Sequence, residues 1–343
     1  MKVLIQSYNT WCQNPTGGVN RRIRKTVELL SQRIDATYFN QFETMLSEHD
    51  ILHIFGTQPE NYDLVACAKR MGLKVVVSSI LNARYAKKIW LNTHLLNHLP
   101  MMTGYKRNEL IYRMADLVIA ETEAERHMVS RCYRVPEKKI VVISNGVDIA
   151  PQNGGDEIYA AIGGKKPYIL QVGRFDRNKN QLNVIRAMSQ APIDVVLIGG
   201  ADHSRDAGYM EACRSAAEGS ERMHFLGWQK PDSPMLQSAY AHAEVVVLPS
   251  FNETFGLTLL EGGMAGAKLA LSKTLPILGY DAFSGCRTFA PDKPEQIREQ
   301  LLAAVNDPRD PGLKQRLIQT FSWDAVIEEH IRQYERILEK NCG

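Results

Sequence analysis

The sequence predicts an α/β protein made of two doubly wound, Rossmann-like domains in tandem. The chain has 343 residues, which is too long for one typical domain and suits two. Short β-branched runs alternate with helical patterns along the whole chain, and this alternation indicates βαβ units. The alternation breaks once, at 149–167, where Gly, Pro and polar residues predict an interdomain linker followed by a short helix.

Each predicted strand is a continuous apolar run, as expected in a parallel sheet that is covered on both faces. The first half contains strands 2–7, 50–55, 74–79, 116–120 and 140–143. The second half contains strands 168–172, 193–198, 223–226, 244–248 and 268–272. Helix 19–34 follows the first strand, with apolar residues at steps of four and three. Ligands of such sheets bind at the carboxyl ends of the strands, so two facing domains predict a cleft between them.

Composition excludes several classes of protein. Hydrophobic residues make up 44% and charged residues 23% of the chain, and a net charge of +3 predicts no nucleic-acid partner. The sequence contains no run of 18 apolar residues, so it predicts no membrane-spanning helix. The apolar stretch at the start of the chain is too short for a signal peptide. Six scattered cysteines without a Cys-x-x-Cys pair favour a reducing cytoplasm. Residues 1–146 carry 20 Lys and Arg against 13 Asp and Glu, so the basic half suits an acidic partner or a membrane surface.

Several catalytic motifs are absent from the sequence. No Gly-x-Gly-x-x-Gly follows the first strand, and there is no P-loop, no Asp-x-Asp pair and no Gly-x-Ser-x-Gly. The pairs His49/His53 and His94/His98 have helical spacing but lack the Glu that a zinc protease needs. We therefore expect structural or solvent-facing histidines and no metal site.

Three loops carry candidate binding residues. Gly17 and Gly18 precede helix 19–34, where paired glycines let the backbone approach a phosphate, although a simple turn explains them equally well. The second loop, Gly173 to Gln181, follows the first strand of the second half. Its cations Arg174 and Lys179 are suited to stabilise a departing diphosphate without a metal.

The third loop follows strand 244–248 and is the most specific. Glu253 lies in the loop, and Glu261 lies about one turn into the helix that follows. Two carboxylates placed in this way can accept hydrogen bonds from hydroxyls at the two ends of one polar ligand. The N–H groups of the intervening helix start can hold its phosphate. The residues in this part of the predicted site are Glu253, Phe255, Gly256, Leu257, Thr258 and Glu261.

These motifs together resemble the retaining glycosyltransferases of the GT-B fold, specifically glycosyltransferase family four, over nearly the whole chain. The string Glu-x-Phe-Gly-Leu-x-x-x-Glu at 253–261 is the most specific marker. The others are Gly17-Gly18, Asn145-Gly146-Val147-Asp148, Gly173-Arg174 with Lys179, Phe225-Leu226-Gly227 and Phe321-Ser322-Trp323. The resemblance implies an acceptor-binding domain at 1–148 completed by the C-terminal helix 325–343, and a donor-binding domain at 149–324.

The resemblance also implies roles for single residues. Glu253 would contact the donor sugar and Glu261 the ribose, while Arg174 and Lys179 hold the diphosphate with the loop at Gly17-Gly18. A sugar would move from a nucleotide-diphosphate donor with retained configuration, needing no metal and no cofactor, by a front-face mechanism. The acceptor would be a glycan or a lipid-linked molecule, in cell-surface polysaccharide biosynthesis. A nucleotide-sugar epimerase and a non-catalytic sugar-binding protein are the alternatives.

One position departs from the family pattern. Many relatives place a His after the fourth strand of the first domain, where it reaches the sugar, whereas Ser79 or a neighbour stands there in this chain. Either the donor lacks the hydroxyl at C6 or carries a modification there, or another side chain such as Asn82 takes over the contact.

Residues 84–113 interleave cations with apolar and aromatic residues. Lys87, Lys88, Lys106, Arg107 and Arg113 stand among Trp90, Leu91, Leu95, Leu96, Met101 and Met102. This pattern fits a peripheral contact at the inner face of a membrane, because apolar area inserts and cations hold anionic lipid. The alternative is that the apolar residues belong to the core and the lysines to a solvated face.

Overall fold

The computed structural model describes residues 1–7, 18–81, 85–148, 154–201, 208–253 and 255–339, with Gly18 and Val19 described by their backbone alone. The chain divides into two compact units. Unit 1 comprises Met1–Gly146 and Trp323–Gly343, and unit 2 comprises Val147–Ser322. These boundaries lie two residues before those that the sequence predicts.

Unit 1 contains six parallel strands in the order β2-β1-β3-β4-β5-β6. The strands are β1 (Lys2–Gln6), β2 (Asp35–Tyr38), β3 (Ile51–Phe55), β4 (Lys74–Ser78), β5 (Leu117–Ala120) and β6 (Ile140–Val142). Its first helices are α1 (Gly18–Ser31), α2 (Tyr62–Arg70), α3 (Ala86–Leu91), which continues as a π-helix over Asn92–Leu96, α4 (Gly104–Met114) and α5 (Glu123–Tyr133). Short 3₁₀ turns occupy Leu46–Glu48, Pro59–Asn61 and Glu137–Lys139.

Unit 2 contains a second parallel sheet, in the order β12-β11-β10-β7-β8-β9. The strands are β7 (Tyr168–Val172), β8 (Asp194–Ile198), β9 (Met223–Phe225), β10 (Val245–Leu248), β11 (Lys268–Ser272) and β12 (Arg287–Phe289). The helices are α6 (Glu157–Ile162), α7 (Gln181–Met188), α8 (Tyr209–Ala216), α9 (Pro234–His242), α10 (Leu257–Ala265), α11 (Pro294–Asn306) and α12 (Leu313–Phe321). Two 3₁₀ turns, Pro276–Gly279 and Asp281–Phe283, lie between β11 and β12.

Each sheet separates two apolar layers of its own unit. In unit 1, one layer receives the last helix, α13 (Trp323–Glu339), whose Val326, Ile327 and Tyr334 are buried against α1 and the sheet. Gly146 lies under the ring of Trp323, where an added Cβ would come within 2.2 Å of the indole. This close approach explains why glycine stands in the Asn145-Gly146 marker.

The ten predicted strands are confirmed to within a residue or two at their ends. Two strands were not predicted. They are β2, with the sequence Asp-Ala-Thr-Tyr, and β12, with the sequence Arg-Thr-Phe. Both lie at sheet edges, where one side is unpaired and the sequence carries no long apolar run. The predicted helix 19–34 ends earlier, at Ser31, because β2 begins at Asp35.

Candidate active site

The predicted second and third loops meet at one place in unit 2. The chain runs from β7 to β8 and β9 on one side, and then crosses to β10 on the other side of β7. The loops that follow β7 and β10 therefore leave neighbouring strands in opposite directions. Parallel sheets bind ligands at such a switch point, beyond the carboxyl ends of the strands.

The loop after β7 is held in a defined turn. Gly173 donates its N–H to the Ile198 carbonyl at 2.9 Å. Asp176 accepts the Lys179 N–H through its Oδ1 at 2.8 Å, which closes the turn just before α7. The guanidinium of Arg174 is 61% exposed and lies 3.6 Å from the Asp176 carboxylate. The turn thus fixes the backbone at both cations and leaves the Arg174 side chain accessible to a ligand.

Two asparagines join this loop to the loop after β10. Asn178 donates from Nδ2 to the Asn252 carbonyl at 2.8 Å and accepts the Asn252 N–H at 3.0 Å. The buried Asn180 adopts a left-handed conformation, φ 60°, and donates to the Pro249 carbonyl at 3.0 Å. Sequence reasoning passed over both asparagines, although two of them within Asn-Lys-Asn is a turn signal.

The connection of the two loops brings Lys179 and Glu253 together. Their Nζ and Oε1 atoms lie 2.6 Å apart, and both side chains are mostly buried. Seventy-four positions separate them in the sequence. A cation and a carboxylate side by side at the switch point can hold a ligand that has an anionic part next to a hydroxylated part.

Helix α10 begins directly beyond this pair. Gly256 has φ 103°, a left-handed conformation that favours glycine, and its turn directs the first N–H groups of the helix, at Leu257 and Thr258, beyond the sheet. The Thr258 hydroxyl is buried and makes no hydrogen bond to any residue that the structure describes. Phe255 is buried and packs edge-on against Tyr280 and Phe321, so its side chain belongs to the core.

Glu261 lies on α10 as predicted, and Tyr240 of α9 orients its carboxylate. The Tyr240 hydroxyl donates to Glu261 Oε2 at 2.7 Å. Burial, and then the charge of Glu261, raises the pKa of Tyr240 well above its usual range. The tyrosine therefore stays protonated and remains a hydrogen-bond donor. Gly262 follows, with no room for a Cβ beside Val246 of β10, so the helix packs closely on the strand.

Trp228 is a candidate that sequence reasoning missed. It lies three residues beyond β9, is 61% exposed, and its Cβ would meet a Cβ at Gly200 at 3.3 Å. Among the residues described in unit 2, it is the one exposed large apolar side chain. An exposed indole at the carboxyl edge of the sheet offers a flat face for stacking. The available signal was its position directly after the Phe225-Leu226-Gly227 marker.

The predicted first loop is only partly visible. Gly17 lies outside the described residues, and Gly18 is the first residue of α1. Near the carboxyl edge of the sheet of unit 1, Arg22 of α1 pairs with Glu121, which follows β5. The Arg22 guanidinium lies 5.6 Å from the centre of the Phe55 ring.

Ser79, one of the residues expected at the place of the family histidine, is fully buried after β4. Its hydroxyl donates to the Ile119 carbonyl at 3.1 Å, so the proton of this hydroxyl points into the protein. Asn82, the other candidate for the sugar contact, lies outside the described residues. Across the part of the chain that the structure describes, no three His, Cys, Asp or Glu residues are grouped to hold a metal ion.

Comparisons with known proteins match both halves of the chain. The family model described as Glycosyl transferases group 1 matches residues 159–320, and that described as Glycosyltransferase Family 4 matches residues 14–151. A D-inositol 3-phosphate glycosyltransferase of Mycolicibacterium gilvum is 29% identical over 239 residues. That alignment covers 65% of this chain and 52% of the relative, so the chain spans about half the length of the curated relatives it matches.

Solved structures share the fold over the whole chain. Anabaena HepE in complex with UDP superposes with a TM-score of 0.73 at 16% identity, covering 98% of this chain and 100% of the other. Sucrose-phosphate synthase of Thermosynechococcus elongatus has a TM-score of 0.73 at 17% identity, covering 99% and 100%. These similarities establish the GT-B glycosyltransferase fold for this chain.

Proposed function

We propose that this chain moves a sugar from a nucleotide-diphosphate donor to a glycan or lipid-linked acceptor. The chain belongs to the group 1 glycosyl transferases of glycosyltransferase family 4. The configuration at the anomeric carbon is retained and no metal takes part. The acceptor belongs to cell-surface polysaccharide biosynthesis. In this proposal residues 149–324 bind the donor, and residues 1–148 with 325–343 bind the acceptor.

The diphosphate belongs at the loop after β7. Arg174 is accessible there, and Asp176 accepts the backbone N–H of Lys179. Gly173 has no side chain, so a phosphate can lie close to the backbone of this loop. The N–H groups at Leu257 and Thr258, with the buried Thr258 hydroxyl, supply further donors at the start of α10. Together these groups stabilise the negative charge that develops on the leaving diphosphate.

The two carboxylates bind the two hydroxylated parts of the donor, the sugar and the ribose. Glu253 accepts hydrogen bonds from sugar hydroxyls, and Glu261, oriented by Tyr240, accepts them from the ribose. The observation that carries the proposal is the 2.6 Å pair of Lys179 and Glu253 at the switch point. It places a cation for phosphate directly beside a carboxylate for hydroxyls, which is the order of groups in a nucleotide sugar.

The reaction follows from this arrangement. The bond from the anomeric carbon to the diphosphate oxygen breaks, and the acceptor oxygen attacks the same face of the sugar. The acceptor proton passes to a leaving phosphate oxygen, and Arg174 and Lys179 balance the remaining charge. The nucleobase stacks on Trp228. UDP in the HepE complex supports a nucleoside diphosphate as the product released.

A panel of donors tests the proposal. The protein is incubated with UDP-, GDP- and ADP-linked hexoses and a glycan acceptor, and released nucleoside diphosphate is measured. We expect release with one base, and NMR of the product should show the donor's anomeric configuration. A Trp228→Ser variant should bind the nucleoside diphosphate more weakly, because the base loses its stacking surface. Interconversion of sugars without release would instead indicate an epimerase, and binding without turnover a sugar-binding protein.

A further inference from the structure

The segment 85–102 of unit 1 has an inner side that is firmly anchored. Ile89 lies in the core under α5, and the Thr93 hydroxyl donates to the Cys132 carbonyl at 2.6 Å. The buried Asn97 donates from Nδ2 to Glu109 Oε2 at 2.7 Å. These residues follow one another at steps of four, so they define one face of α3 and its π-helical continuation.

The outer side of the same segment is apolar. We call this the 85–102 surface, and its exposed large apolar side chains are Tyr85, Trp90, Leu91, Leu95, Leu96, Leu99, Met101 and Met102. Leu95 and Met101 are 61% and 62% exposed. The sequence alternative that the apolar residues of 84–113 form core is therefore wrong for the six that it named, Trp90, Leu91, Leu95, Leu96, Met101 and Met102. So many neighbouring apolar side chains in water mark an interaction site.

The charge of the 85–102 surface points to one class of partner. Lys87 and Lys88 are exposed on α3, and no Asp or Glu occurs between 85 and 102. The nearest acid along the chain, Glu109, is buried and paired with Arg113. Two copies of this surface packed about a two-fold axis would bring lysines together without a carboxylate, which disfavours a dimer. An anionic bilayer offers both apolar depth and opposite charge.

We propose that the 85–102 surface docks unit 1 on an anionic lipid bilayer. Leu91 and Leu95 enter the acyl boundary, and Trp90, stacked on His94 with ring centres 4.6 Å apart, lies at the headgroup level. Lys87 and Lys88 contact lipid phosphates. Among the described residues no helix is long and apolar enough to cross a membrane. The docking does not depend on which sugar is transferred. If unit 1 binds the acceptor as proposed above, docking also brings it to lipid-linked acceptors.

Cosedimentation with vesicles tests the docking. One vesicle contains phosphatidylcholine alone, and the other 70% phosphatidylcholine with 30% phosphatidylglycerol. We expect binding to the second at low salt and its loss in high salt. Each lysine near an anionic surface contributes about fivefold in partitioning, so Lys87→Gln with Lys88→Gln should weaken binding about 25-fold. Leu91→Ser with Leu95→Ser should weaken it by about tenfold or more per leucine.

The matched control is Met71→Ser, which removes an equally exposed apolar side chain of unit 1 outside the surface. It should bind vesicles as the unaltered protein does. Nucleotide binding, measured by calorimetry, should be unchanged in all three variants, so failure of docking and failure of the donor proposal are distinguishable. Docking is overturned by absence of binding to anionic vesicles at low salt, or by equal binding of the leucine variant. Concentration-dependent dimerisation that the leucine variant abolishes would overturn it in favour of self-association.

Discussion

The two units share a six-stranded parallel sheet but place their polar and apolar side chains differently. Unit 2 gathers Arg174, Lys179 and Glu253 in loops beyond the sheet, with the Arg174 side chain exposed and the other two paired. Unit 1 buries polar groups inside, and twelve of its large apolar side chains are exposed, against one in the described residues of unit 2. The same architecture thus supports a polar ligand site in one unit and an apolar docking surface in the other.

One group of buried polar side chains in unit 1 surrounds His53. Its Nδ1 lies 2.7 Å from the Tyr334 hydroxyl of α13, and its Nε2 lies 2.8 Å from the Ser78 hydroxyl of β4. The expectation of a structural histidine is therefore confirmed for His53. His330 of α13 is buried beside it, with ring centres 6.0 Å apart. Burial lowers the pKa of His53 and lowers that of His330 to about 4, so both rings are neutral in the folded protein.

The largest expected effect concerns the cations of unit 2. Arg174→Ala and Lys179→Ala should each slow sugar transfer by about 30- to 1,000-fold, because a charge contact to a leaving group contributes about 2–4 kcal/mol to the barrier. Steady-state kinetics measures this, and circular dichroism should show an unchanged fold. Lys165→Ala, at an exposed lysine before β7, is the control and should keep full activity. Full activity in Arg174→Ala or Lys179→Ala, or loss of wild-type activity in EDTA, would contradict the role of these two cations in stabilising the leaving diphosphate.

Substitution of the two carboxylates should affect the binding of different ligands. Glu261→Ala should weaken nucleoside diphosphate binding by about ten- to a hundredfold, because hydrogen bonds to charged groups contribute about 1.5–3 kcal/mol. Glu253→Ala should weaken binding of the intact donor and leave the free diphosphate almost unaffected. Calorimetric titration with both ligands measures the split, with Glu218→Ala as an exposed control. Equal losses in both variants would show that the carboxylates share one role.

The smallest effect concerns the histidines of unit 1. An unfolded histidine has a pKa near 6.5, so between pH 6.5 and 4 the His330 ring binds more protons in the unfolded chain than in the folded one, and its contribution to stability falls as the pH falls. With a folded pKa of about 4, His330 should remove about 2 kcal/mol of stability between pH 7.5 and pH 5. Urea titrations at the two values measure the loss.

In His330→Leu that contribution to the loss should disappear, because leucine does not titrate. The fold should tolerate the change, because leucine fills similar space and the ring's Nε2 has no hydrogen-bond partner among the described residues. The exposed His98→Gln is the control and should keep the full pH dependence. An unchanged slope in His330→Leu would show that other groups cause the acid sensitivity.

By itself the sequence determined the order of strands and helices and the residues of the loop after β10. These are local properties: a buried parallel strand is a continuous apolar run, and Gly256 is required where the chain turns left-handed into α10. The edge strands β2 and β12 were missed because half-paired strands need no such run.

Only the tertiary structure decided which distant groups meet and which side chains face water. Lys179 and Glu253 come together because Asn178 and Asn180 join two loops at the switch point, and Tyr240 meets Glu261 because α9 packs beside α10. Leu91 and Leu95 are as apolar as Ile89, yet only Ile89 is buried. Hydropathy is a property of a single residue. Burial depends on which parts of the rest of the chain pack against that residue.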